Sequence, residues 1–331
     1  MRKKLALGLL ICFVLATAIP YLLKTKKSPS DNSQKYLTNL PKPAFSSDSA
    51  FGFVARQVDF GPRTPGSNAQ EQCARWLKTT FESYNCTVLQ QNFTAPHYQG
   101  KILKGINLIA QYQPEKTRRI LLAAHWDSRF MADKDTYNTH LPIAGADDGA
   151  SGVAILLELA RLLHGTPANI GVDFICFDLE DQGDDAGEPE SWCLGSQYWA
   201  KNLHAPEYMP YKAVLLDMVG GKNARFYKEG ISQQFAPTIV REIWGIAHEL
   251  YHGTYFVNES RPGITDDHAF VIREAKIPMI DIISMPNPGE HPFPDYHHKH
   301  ADNINVIDKN TLAAVGNTLT AFIYQNAAPV N

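Results

Sequence analysis

GADDGASGVAILLELARLLHGTPANIGVDFICFDLED, residues 145–181, reads as a helix followed by a strand, with acidic residues at the start and at the finish. Val153 to Leu163 is apolar on nearly every face and stops at Gly165, which predicts a buried helix. Val172 to Phe177 is a short β-branched and aromatic run fit for a central strand. Asp147 and Asp148 stand at the helix start; Glu180 and Asp181 stand just past the strand. Outward from this unit, strand-like runs occur at Ile106–Tyr112, Ile120–Ala124, Ala213–Val219 and Pro278–Ile283. Helices are expected at Ala69–Tyr84, where Cys73, Leu77, Phe81 and Tyr84 share a face, and at Pro237–Leu250, Asp267–Glu274 and Thr311–Tyr324. Strands alternating with helices predict one α/β domain: a central mixed, mostly parallel, twisted β-sheet flanked by helices on both faces. In such sheets ligands bind beyond the carboxyl ends of the strands. His125, Glu180–Asp181 and Asp217 each fall there.

The 331 residues are 44% hydrophobic, enough for one large core. Six cations and no acids lie in the first 29 residues, leaving 25 basic against 34 acidic residues in the rest, a net of −9. An acidic body argues against nucleic acid as partner, because phosphate contacts need a basic face. Arg2, Lys3 and Lys4 precede an uncharged run from Leu5 to Leu23, expected to be a signal peptide or membrane anchor spanning 1–23. Ala16-Thr17-Ala18 resembles a cleavage site, whereas the run continuing to Leu23 before Lys24, Lys26 and Lys27 favours an anchor. Residues 24–47 read as a Ser/Pro/Lys/Asn linker and 48–331 as the folded domain. The body is thus expected in a periplasmic or secreted setting, touching membrane only through its leader. Cys73, Cys86, Cys176 and Cys193 are then either buried thiols or a disulfide source, with Cys73 and Cys86 the closer pair.

Carboxylates and imidazoles recur where a metal hydrolase would place them. His125 comes two residues before Asp127, which suits a ligand oriented by a carboxylate, though a lone His is more often structural. Asp148 sits among small residues at a helix start, where simple capping by Asp147 or Asp148 is the competing reading. Adjacent Glu180 and Asp181 point different ways at a strand end, so one can bind metal while the other faces substrate; a solvated acidic loop is the alternative. Asp217 is a single acid in an apolar strand and needs a partner. Tyr296 to Asp302 contains His297, His298 and His300, and the tract alone does not say which of them is a ligand.

Taken in order, AHWDSR (124–129), GADDGASGVA (145–154), FDLED (177–181), LLDMVG (215–220) and the tract HHKHAD (297–302) resemble the zinc aminopeptidase and glutaminyl cyclase superfamily. QVDFGPRTPGS (57–67), Trp192 and ITDDH (264–268) resemble its glutaminyl cyclase branch, in the bacterial animal-type form. The resemblance implies Asp148, Asp181 and His298 as ligands of one Zn2+ per chain, His298 because the family's ligand lies four residues before an Asp. It implies Glu180 as general acid/base, supported by Asp217 and Asp266, and a substrate pocket lined by Trp192, Ile264, Phe293 and His297. Two departures stand out: Asp181 where many relatives have Glu, and His297 where animal cyclases have Trp.

The implied activity is cyclisation of N-terminal glutaminyl residues of peptides or proteins to pyroglutamate with loss of ammonia, by a monomer. Two alternatives remain open. A two-zinc aminopeptidase would add His125 and Asp217 as second-metal ligands around a bridging Asp148, and a silent zinc-binding ectodomain would need no free base at Glu180.

Overall fold

The computed structural model describes residues 35, 37, 42–289 and 291–327; the expected leader and most of the linker lie outside them. Two helices lead in, α1 (Ser47–Asp59) and α2 (Asn68–Ser83), each started by a serine whose hydroxyl accepts from the first turn. Strands β1 (Thr87–Pro96), β2 (Ile102–Tyr112) and β3 (Arg119–His125) follow, then α3 (Ala150–Gly165) and β4 (Gly171–Phe177). Next come α4 (Leu194–Lys201), β5 (Lys212–Asp217), β6 (Phe226–Lys228), α5 (Gly230–Phe235), α6 (Pro237–Glu249) and β7 (Phe256–Ser260). The chain closes with α7 (Asp267–Phe270), β8 (Met279–Ile283) and α8 (Lys309–Asn326).

Six strands form one sheet in the order β1-β2-β4-β3-β5-β8, with β6 and β7 paired separately. β4, β3, β5 and β8 run parallel; β2 is antiparallel to β4, and β1 to β2. The parallel strands are buried on both faces, and their side chains alternate between two cores. Ile120, Leu122, Val172, Phe174, Val214 and Leu216 face a large core with α1, α2, α3, α6 and α8, while Leu121, Ala123, Ile175, Phe177 and Leu215 face a smaller one with Trp199 of α4. Helix α3 lies inside the larger core, with Val153 to Ala160 fully covered.

The expected mixed, mostly parallel sheet is present. Departures are local. Sequence periodicity missed α1, β1, α4, α5, β6 and β7, and the helix expected over Asp267–Glu274 is helical only to Phe270 before a wider π turn at Val271–Ala275. Cys73, Cys86, Cys176 and Cys193 are four buried free thiols, so Cys73 and Cys86 are not joined.

Candidate metal and catalytic site

His125 ends β3, Asp217 ends β5, and Glu180–Asp181 follow β4, so three parallel neighbours deliver them to one edge of the sheet. Asp148 enters from the turn before α3. That helix is capped by Gly149, without a side-chain bond, so neither Asp147 nor Asp148 acts as the cap. Asp147 instead accepts from the Gly220 amide at 2.7 Å and the Tyr296 hydroxyl at 2.6 Å. The amides of Asp147 and Asp148 donate to Asp302 at 2.8 and 3.3 Å, which clamps the turn from the far end of the chain. A Cβ on Gly149 would lie 2.4 Å from the His125 ring, so only glycine lets this turn approach β3. Buried Arg63 braces the same loop by donating to the carbonyls of Trp126 at 3.0 Å and Gly145 at 2.7 Å.

The side chains converge. Nε2 of His298 lies 3.0 Å from Asp181 Oδ1 and 3.9 Å from Asp148 Oδ2. Nε2 of His125 lies 3.0 Å from Asp148 Oδ1 and 3.3 Å from Asp217 Oδ1. Asp148 therefore faces both imidazoles. Asp127 holds the floor: it faces His125 Nδ1 at 3.3 Å and accepts from the amides of Glu180 and Asp181 and the side chain of Gln182 at 3.2, 3.1 and 2.7 Å. Backbone strain gathers here too, with Leu179, Cys193, Met218 and His298 all at positive φ, between 48° and 58°.

Asp148 Oδ2 and Asp181 Oδ2 are buried without a hydrogen-bond partner. An orphaned carboxylate oxygen is costly unless a cation meets it. Two carboxylates and one imidazole are a donor set that zinc accepts, and burial holds the His298 imidazole neutral, down to about 3. The residues present therefore fit the expected ion. Burial pushes Asp181 well above the usual carboxylate range and Asp217 to about 8, and the Asp148 charge adds to both; a bound cation would reverse that push. For His125, burial opposes protonation, but bonds to Asp127, Asp148 and Asp217 outweigh it and raise the imidazole well above its ordinary value.

Glu180 stands beside these groups. Its Oε1 accepts from the Cys193 thiol at 3.3 Å, and its Oε2 is 3.9 Å from His125 Nδ1. Burial raises its carboxyl well above the ordinary range. Glu180, Asp148, Asp181, Asp217, Asp266, Trp192, Ile264, Phe293, His297 and His298 all line one cavity of about 600 Å³. His125 lies beneath it. Trp192 stacks on His298 with ring centroids 5.7 Å apart and planes at 16°, so it packs a candidate ligand as well as forming a wall. Ile264 and Phe293 pack against buried Met218, Ile283 and Met285 as the apolar side. Asp217 contacts His125 directly, and any hold on Glu180 passes through that ring. Asp266 also caps α7 through the Asp267 amide.

From sequence Cys193 was read only as a thiol, Arg63 only within QVDFGPRTPGS and Asp302 only as the acid four residues past His298, while Glu229 was not singled out. Glu229 caps α5 and accepts from the Ile264 amide at 3.0 Å and from His268 Nε2 at 3.1 Å, fixing the wall that carries Ile264 and Asp266. For Asp302 a signal existed in its spacing from His298; for Cys193 and Glu229 none did.

Known proteins carry the same framework. The glutaminyl cyclase of Bacteroides thetaiotaomicron, solved with N-acetylhistamine bound, is 45% identical, with a TM-score of 0.83 over 86% of this chain and 99% of that one. A Zn-dependent exopeptidase of Parabacteroides distasonis is 43% identical, with a TM-score of 0.84 over 86% and 99% of the two chains. A glutaminyl-peptide cyclotransferase-like protein of Mus musculus is 26% identical over 286 residues, 79% of this chain and 71% of that protein. Residues 107–323, which include every candidate ligand, match peptidase family M28. By sequence and by fold, this chain belongs to peptidase family M28.

Proposed function

We propose that the chain is a zinc-dependent glutaminyl-peptide cyclotransferase that closes N-terminal glutamine of peptides or proteins to pyroglutamate and releases ammonia. What supports this reading over a two-zinc peptidase is the cavity wall of Trp192, Ile264 and Phe293 beside Glu180, together with 45% identity to a glutaminyl cyclase. His125, Asp148 and Asp217 lie close enough together to hold a second ion, and the zinc content per chain decides between the two. In this reading Asp148, Asp181 and His298 would hold one zinc. When bound, zinc polarises the γ-carbonyl of the substrate glutamine as a Lewis acid.

The chain's own residues do the rest. Glu180, unligated at the cavity surface, takes a proton from the α-amine as that nitrogen bonds to the γ-carbon, then returns a proton to the amide nitrogen that leaves as ammonia. Its raised carboxyl suits both directions of transfer. Trp192, Ile264 and Phe293 exclude water from the side chain, and ring closure within one residue supplies proximity. Asp217, through His125, and Asp266, whose carboxylate lies within 4.8 Å of that of Glu180, position the acid. The names of the related cyclases support the same assignment.

The chain is proposed to act as a monomer, every residue given a role above coming from one copy. The cationic, apolar leader supports an exported body, anchored or released. Purified protein offered glutaminyl-β-naphthylamide and leucyl-p-nitroanilide should release ammonia from the first and no leucine from the second, and a chelator should abolish the reaction. Leucine release without cyclisation would assign the site to a peptidase.

A further inference from the structure

His297 and His298 are neighbours with ring centroids 3.7 Å apart, and although His298 alone also meets Asp181, their distances to Asp148 do not distinguish them as ligands. Their Nε2 atoms lie 3.8 and 3.9 Å from the same oxygen, Asp148 Oδ2, and either falls near the separation of about 3.4 Å that zinc–nitrogen and zinc–oxygen bonds impose on tetrahedral ligands. What differs is the group behind each ring. Nζ of Lys134 lies 3.3 Å from His297 Nδ1, and Oδ1 of Asp133 lies 3.7 Å from His298 Nδ1. An ammonium has donors and no lone pair, so His297 Nδ1 accepts and the ring proton is on Nε2. The Asp133 carboxylate is beyond hydrogen-bond range of His298 Nδ1, which has no partner of its own, but its negative charge favours the ring proton on Nδ1 and leaves Nε2 for a metal.

Both partners are held in place. Asp133 receives a 2.8 Å bond from Arg129 Nε. Lys134 pairs with Asp185 at 3.4 Å, and its amide donates to the His298 carbonyl at 3.3 Å. We propose that the adjacent residues Asp133 and Lys134 sort the two histidines into opposite tautomers. His298 becomes the metal ligand; His297 is barred from the metal and presents an N–H donor to the cavity. Lys134 is thus a positioning residue, acting through His297. The inference rests on the cyclase reading only in what the donor meets, the substrate's carbonyl oxygens.

Nitrogen NMR of zinc-loaded protein with 15N-labelled histidine tests it, with His297 assigned by its loss in His297→Asn. The expected result is an Nε2 proton on His297. Lys134→Glu replaces the donor by an acceptor and should move that proton to Nδ1. The freed Nε2 should then enter the coordination sphere, tightening zinc on the order of 10-fold and changing the visible spectrum of the cobalt-substituted protein. Lys134→Arg should keep the wild-type tautomer; Lys134→Met, which asks least of folding, should give a mixture. An Nδ1 proton on wild-type His297, or a tautomer indifferent to Lys134→Glu and Lys134→Met, overturns the proposal. None of these readouts needs a substrate, so absence of glutaminyl turnover with the tautomers as expected would remove the cyclase reading and leave the sorting intact.

Discussion

Glu180 and Asp181 are chemically similar neighbours with different surroundings. Asp181 turns to His298 and, with one oxygen unpaired, toward the metal cradle; Glu180 meets the Cys193 thiol and the edge of His125, with the Asp266 carboxylate within 4.8 Å. The account therefore predicts that Glu180→Gln lowers turnover about 10²–10⁴-fold while bound zinc, measured by elemental analysis, stays unchanged. Loss of zinc in that variant would make Glu180 a ligand, and full turnover would remove it from catalysis. At this scale the sequence was informative where chemistry needs a rare neighbour. Two adjacent acids after an apolar strand, or one acid inside such a strand, stand out. Cys193 did not, because a buried thiol on a carboxylate has the same local pattern as a core cysteine. Nor could residue order separate His297 from His298, since the deciding groups come from a loop more than 160 residues away in the chain.

Among the elements, the walls of the cavity are set by packing that sequence does not display. Gly183 has no Cβ because one would lie 2.2 Å from the Trp192 indole. Gly183→Ala should displace that ring, raising KM for glutaminyl substrates with little change in melting temperature; an unchanged KM would show that Trp192 does not contact substrate. Glu229 ties α5 to the segment bearing Ile264 and Asp266. Burial opposes its charge, but the bonds from His268 and the amides of Ser232 and Ile231 outweigh it and lower its carboxyl to about 2. A lowered carboxyl stabilises the fold fully above its unfolded value of 4.5 and loses that contribution as pH falls toward 2. Glu229→Gln should cost about 3 kcal/mol near neutrality, and the gap to wild type should shrink as urea titrations move below about pH 4.5. A gap that holds at acid pH would assign the loss to packing. Strands β3, β4, β5 and β8 were legible as continuous apolar runs because they are buried on both faces. Strand β1 was not, since most of its residues are exposed and its burial alternates only from Gln91 to Pro96. Helix α1 was hidden because its apolar residues cluster at 50–55 next to the linker and Phe51, Phe53 and Val58 are only partly buried, leaving Ala50, Val54 and Gln57 as its buried positions.

For the whole molecule, the parallel order β4-β3-β5-β8 explains why residues 125, 180, 181 and 217 meet: consecutive strand ends lie side by side, and the turn before α3 inserts Asp148 between them. That convergence was readable from the alternation of elements, with the sheet's carboxyl edge as the place to look. Left unread was how the far termini close the site, with Asp302 clamping the Asp148 turn and Arg63 bracing its approach. The central claim is that these loops hold one cation between Asp148, Asp181 and His298, with Glu180 free beside it. Diffraction from zinc-loaded crystals at the zinc absorption edge tests this most directly. The account predicts one anomalous peak within about 2.2 Å of a donor atom of each of those three residues. A second peak between His125 and Asp217, or a single peak ligated by Glu180, would contradict it.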